Sequence, residues 1–176
     1  MADCVSALKE WTGKASARII YDSIVDEFTD DGIFENVRGK ENVAVVGFTT
    51  DGDVFGAFYS VAVTVQDKYI FDPDIFAFSF ESHGRCTTPQ RFVLKEKKKE
   101  LAYVRFDKGD SQGFVYFGVY GTSGFWLGKE RSASFCRDMS RGFDGLEDKT
   151  LTGETGGIFC KGPHHHCARL VAVQLE

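Results

Sequence analysis

Apolar positions along this chain follow two periods, and the shorter one dominates. Val5, Leu8 and Trp11 fall at three-residue spacing within Asp3–Trp11, which marks one face of a short helix ended by Gly13 and makes Trp11 an expected core anchor. Ala17 to Tyr21 is an apolar run suited to extended backbone and predicts the first strand. Thr29 then offers an N-cap hydroxyl ahead of Asp30 and Asp31, acids that favour the positive end of a helix dipole, and Ile33, Phe34 and Val37 share the face that follows. The spacing predicts a helix of about two turns closing at Gly39.

From there the pattern is strand after strand. Asn42–Phe48 and Val54–Val65 are rich in Val, Phe and Ala, and Thr50-Asp51-Gly52-Asp53 between them has turn chemistry, so the pair predicts a hairpin. In Ile75–Phe80 the rings of Phe76, Phe78 and Phe80 alternate with Ala77 and Ser79. That strand is expected to line the core with its rings on one face. Further strands are predicted over Arg91–Lys95, Leu101–Phe106, Gly113–Val119, Gly124–Leu127 and Ala168–Leu175. Ala133–Gly157 carries few apolar residues and several glycine turns, and is predicted to be a long surface loop. No internal repeat, low-complexity tract or linker divides residues 1–176, which read as one domain.

Composition sharpens this reading. Phe occurs 17 times against 2 Met, and 19 Gly stand against 3 Pro, a balance that suits half-buried pleated faces joined by tight turns. Without an apolar run of about 18 residues, and with Asp3, Lys9 and Glu10 near the start, neither membrane insertion nor secretion is expected. Five cysteines at irregular positions (Cys4, Cys86, Cys136, Cys160 and Cys167) point to reduced thiols in the cytoplasm, with the nucleus as the alternative. A net charge of −5 weighs against generic nucleic-acid binding.

The order of the motifs carries a family resemblance. It runs from Leu8 and Trp11 through Arg18-Ile19-Ile20-Tyr21-Asp22-Ser23, a helix centred on Phe34, and the hairpin Val43–Phe48 with Val54–Ser60. It continues with Asp72-Pro73-Asp74-Ile75-Phe76-Ala77-Phe78-Ser79-Phe80, Phe125-Trp126-Leu127-Gly128 and the closing Arg169–Leu175. Together these resemble the TLDc domain family over nearly the whole chain, although the basic run near Lys97 and the Cys160–Cys167 segment have no counterpart in it. The resemblance implies a mainly β (α+β) fold, a two-sheet antiparallel β-sandwich with short flanking helices, in proteins tied to resistance against oxidative damage. It also implies a protein partner, vacuolar proton ATPase subunits in several eukaryotic members, and carries no agreed catalytic residues or cofactor.

Four groups of residues are candidates for chemistry. Cys160, His164, His166 and Cys167 are ligand types for zinc or copper, but adjacent histidines project in different directions, so the segment reads as a solvated loop and a metal site there is a weak candidate. Cys86, Cys136, Cys160 and Cys167 are candidates for redox sensitivity, Cys86 following His83 and Arg85, and Cys136 preceding Arg137. His83 with Cys86 is a nucleophile and base by residue type, but no orienting carboxylate lies nearby in sequence. Arg91, Lys95, Lys97, Lys98, Lys99 and Arg105 are the candidates for phosphate contact. The aspartates of Asp51-Gly52-Asp53 and Asp72-Pro73-Asp74 read as turn residues rather than calcium ligands. The leading expectation is a non-enzymatic interaction domain of the oxidative-stress response. A DNA-binding stress regulator is the alternative, and a cysteine-based peroxide scavenger the second alternative.

Overall fold

The computed structural model describes residues 2–109, 114–128, 138–153 and 167–176. Its elements run α1 (Ala2–Thr12), β1 (Ala17–Asp22), α2 (Asp30–Val37), β2 (Val43–Thr49), β3 (Val54–Tyr59), β4 (Ile70–Phe71), β5 (Phe76–Glu81) and β6 (Gln90–Val93). After a 3-10 helix over Glu96–Leu101 come β7 (Ala102–Phe106), β8 (Val115–Val119), β9 (Ser123–Leu127), α3 (Met139–Gly142) and β10 (Cys167–Leu175). These strands form two antiparallel sheets, one in the order β1-β10-β2-β3-β5-β6 and one in the order β4-β7-β8-β9. No helix among the described residues is long and apolar enough to cross a membrane.

The sheets face each other across a core of Val45, Phe55, Ala57, Tyr59 and Phe92 from one, and Val104, Phe106, Phe117, Phe125 and Leu127 from the other. Phe55 meets Phe125 at 5.7 Å and Tyr59 meets Phe106 at 6.1 Å between ring centroids. Each such ring contributes roughly 1.5–3 kcal/mol by leaving water, which is why the two inner faces stay together. The helix α2 closes one end of this core as its sequence dictates. The Thr29 hydroxyl accepts from the Gly32 N–H at 2.9 Å, and Ile33, Phe34 and Val37 are buried.

The phenylalanine strand differs from the expectation in the side it faces. The rings of Phe76, Phe78 and Phe80 do share a face, but it is the outer face of the six-stranded sheet, where α1 covers them with Leu8 and Trp11. Trp11 stacks on Phe80 at 5.7 Å, and it is Ala77 that turns into the space between the sheets. A small residue suits a position where the opposing sheet already supplies Phe and Val, and the large rings gain a helix to cover them. Alternation fixes which residues share a face, not which face is inward.

Other boundaries shift for local reasons. The strand predicted to reach Val65 ends at Tyr59, because Ser60 turns its N–H to the Asp72 carboxylate at 2.5 Å and its hydroxyl to the same group at 2.9 Å. Asp72 also accepts from the Asp74 N–H at 3.0 Å, so this buried carboxylate latches a turn. Leu101, expected in a strand, ends the 3-10 helix instead. The largest correction concerns Ala133–Gly157. Within its described part Met139, Phe143, Leu146 and Leu151 are fully buried, α3 forms, and the Met139 N–H donates to Asp148 at 2.6 Å. Four well-spaced apolar side chains hold this stretch onto the core, although its composition is that of a loop.

Candidate interaction surface

Along β7, β8 and β9 the inward residues are buried, while Tyr103, Arg105, Tyr116, Gly124 and Trp126 alternate with them on the outer face of the four-stranded sheet. Register brings these together. Tyr103 lies opposite Phe71 on one side and Gly118 on the other, Arg105 lies opposite Tyr116, and Tyr116 opposite Trp126. Tyr69 sits edge-on to Tyr103 at 4.7 Å and to Tyr120 at 5.1 Å, Phe71 packs near Tyr120 at 6.4 Å, and Tyr116 meets Trp126 at 5.4 Å. The Arg105 guanidinium lies over the rings of Tyr69 and Tyr116 at 5.2 and 5.9 Å. It is held there by the Asp107 carboxylate at 2.6 Å, with Asp67 at 3.8 Å.

The surface is apolar and accessible at one end. Tyr69, Phe71, Leu101 and Tyr120 are all exposed, Phe71 and Tyr120 by about half (51% and 53%), and the Tyr120 N–H donates to the Leu101 carbonyl at 2.8 Å. At the other end a groove of about 380 Å³ is walled by Tyr103, Tyr116 and Trp126, floored by Gly124 and bordered by Arg141. Burial pushes the Tyr103 hydroxyl up to about 12, so it stays a neutral hydrogen-bond donor. Tyrosine, tryptophan and arginine on a rigid sheet are the composition of an interface centre.

Of the four candidate thiols, Cys86 and Cys167 lie among the described residues, and both are free. Cys136 and Cys160 lie outside the described residues, as do His164 and His166. Cys167 begins β10 and is buried, its thiol donating to the Arg169 carbonyl at 3.1 Å, and burial pushes it up to about 12. Cys86 is half-buried, with Sγ 3.2 Å from the Ser82 hydroxyl. His83 turns elsewhere, its Nδ1 lying 2.8 Å from Oδ1 of the buried Asp53. A carboxylate therefore does orient this imidazole, but it comes from the β2–β3 turn, where sequence reading found only turn chemistry. Arg85 completes the node, bonding Asp53 and donating to the Thr150 and Leu151 carbonyls at 3.2 and 2.9 Å. No group of three or more His, Cys, Asp or Glu side chains suited to a metal ion occurs among the described residues.

The candidate phosphate contacts are divided between the two outer faces. Arg91 pairs with Phe78 across β6 and β5, with its guanidinium over Phe76 at 5.4 Å and its N–H on the Trp11 carbonyl at 2.7 Å. Arg105 belongs to the opposite outer face. Between them, Lys95 donates to the Ser140 carbonyl at 2.5 Å, Lys98 to the Thr122 hydroxyl at 3.5 Å, and Lys99 pairs with Glu96 at 2.6 Å. Lys97 is exposed on the 3-10 helix.

A family model of the TLDc domain matches residues 4–156. The chain belongs to the TLDc domain family. No curated protein matches its sequence. The family match ends before β10, although in this TLDc domain β10 lies inside the larger sheet, between β1 and β2. The pairing of Arg169 with Asp22, 2.9 Å at Nε, ties that last strand to the first.

Proposed function

We propose that this TLDc domain is a non-catalytic interaction module of the oxidative-stress response, and that it docks subunits of the vacuolar proton ATPase on the outer face of its four-stranded sheet. The observation that carries this reading is the gathering of exposed Tyr69, Phe71 and Tyr120 beside Arg105 on one sheet face. Contiguous exposed apolar surface is costly for a protein that meets only water, and it marks partner sites. The family supports the choice of biological setting. The test is recovery of pump subunits from lysate by the wild-type chain and by a Phe71→Ser, Tyr120→Ser double variant. Both side chains are exposed, so the fold should persist. Recovery by the wild type, and at least about 30-fold weaker binding by the variant, is the expected result for loss of interface anchors. A wild-type chain that recovers no pump subunit contradicts the reading.

A further inference from the structure

A second concavity lies on the six-stranded sheet, at the end of α1, and is independent of the aromatic face just described. It has a volume of about 380 Å³, within the range of about 300–1,000 Å³ typical of small-molecule pockets. Its apolar wall is aromatic: Phe58 and Phe76 stack at 4.9 Å, and Trp11 stands edge-on to Phe76 at 6.2 Å. Its charged lining is three cations, Lys14, Arg91 and Lys99, against one carboxylate, Asp74. This excess of positive charge stands in a chain whose net charge is −5.

The commitments of these groups differ. Arg91 lies over the Phe76 ring at 5.4 Å, spends one N–H on the Trp11 carbonyl and keeps its other N–H groups, and Lys99 is shared with Glu96. Lys14 has no ion-pair or hydrogen-bond partner among the described residues. The carboxamide of Asn42 also lines the cavity without a side-chain hydrogen bond among them, while its backbone is fixed in the left-handed region at φ 56°. An aromatic wall, the unpaired Lys14 ammonium, the free N–H groups of Arg91 and a free amide meet the needs of one ligand class. A flat heteroaromatic ring packs on the aromatic wall, its edge atoms exchange hydrogen bonds with the amide, and a phosphate takes the cations.

We propose that this cavity is a mononucleotide site, with the base against Trp11 and the phosphate toward Lys14 and Arg91. The experiment is an NMR titration of the full chain with each of the four ribonucleoside monophosphates, following the Trp11 indole N–H, beside adenosine and inorganic phosphate. At least one monophosphate is expected to shift that resonance saturably, more strongly than the nucleoside or phosphate does. Lys14→Glu, whose side chain holds nothing in place, is expected to weaken it about tenfold with an unchanged melting temperature. Absence of saturation by every monophosphate, equal binding of inorganic phosphate, equal binding of adenosine, or an unaltered affinity in the Lys14→Glu chain overturns the assignment.

Discussion

The Asp53 carboxylate lies 2.8 Å from Nδ1 of His83, thirty residues along the chain. The same carboxylate bonds Arg85, which also reaches the Thr150 and Leu151 carbonyls. One buried charge therefore ties the β2–β3 turn, the turn after β5 and the segment after α3 into a single corner. Asp53→Ala leaves Arg85 partly buried without its counter-charge and is expected to cost about 2–3 kcal/mol. His83→Ala removes a bond from a ring that is 53% exposed, and its loss is expected to be about 1 kcal/mol or less. Urea denaturation of both variants checks the order, and equal losses contradict it.

The thiols should differ in reactivity in the native state. Cys167 is buried and its thiol is pushed up to about 12 by burial, so at neutral pH it holds almost no thiolate. Cys4 and Cys86 are half-exposed. Alkylation followed by peptide mass spectrometry is expected to modify Cys4 and Cys86 well before Cys167, and denaturation to remove the difference. Prompt native labelling of Cys167 contradicts the packing of β10 described above.

Acid should release the tie between the first and last strands. The hydrogen bonds from Arg169 hold the Asp22 carboxyl below its ordinary value, despite the opposing cost of burial. A folded-state pKa lower than the unfolded one, about 3.9, means that the contribution is fully present above the unfolded value and is lost as pH falls through the folded one. The urea midpoints of wild type and Asp22→Asn are expected to differ at pH 7 and to converge below about pH 4. A gap independent of pH contradicts the ionic origin of the tie.

Tyr59 sits at the centre of the core with a hydroxyl that meets no hydrogen-bond partner among the described residues, and burial raises its pKa. Its ring still packs on Phe106 and Phe117. Tyr59→Phe keeps the ring and removes the unsatisfied group, so it is expected to leave stability unchanged or raise it by about 1 kcal/mol. A loss of more than about 1 kcal/mol in thermal denaturation shows that the hydroxyl is satisfied in solution.

Much of this fold is legible along the chain because its local signals agree. The Thr29 cap, the apolar stripe of α2 and the Asp51-Gly52 turn between two Val-rich runs each specify their own geometry. What escapes sequence reading depends on partners far along the chain. The inward side of β5 is set by an opposing sheet that comes later and by a helix that comes earlier. The two-residue strand β4 is too short to show a period, yet it carries Phe71 into the aromatic face. Arg105 was visible as a cation, but its setting among Tyr69, Tyr116 and Asp107 is a product of register. The Asp53–His83 bond spans thirty residues with no local cue at either end.

The role of the aromatic face is tested most directly by hydrogen–deuterium exchange of the intact chain, alone and with purified vacuolar proton ATPase. Binding through this face predicts slowed exchange in residues 69–71, 101–105 and 116–120, with the β1 edge of the other sheet unchanged. Protection confined to the six-stranded sheet, or no protection at saturating pump concentration, contradicts the account.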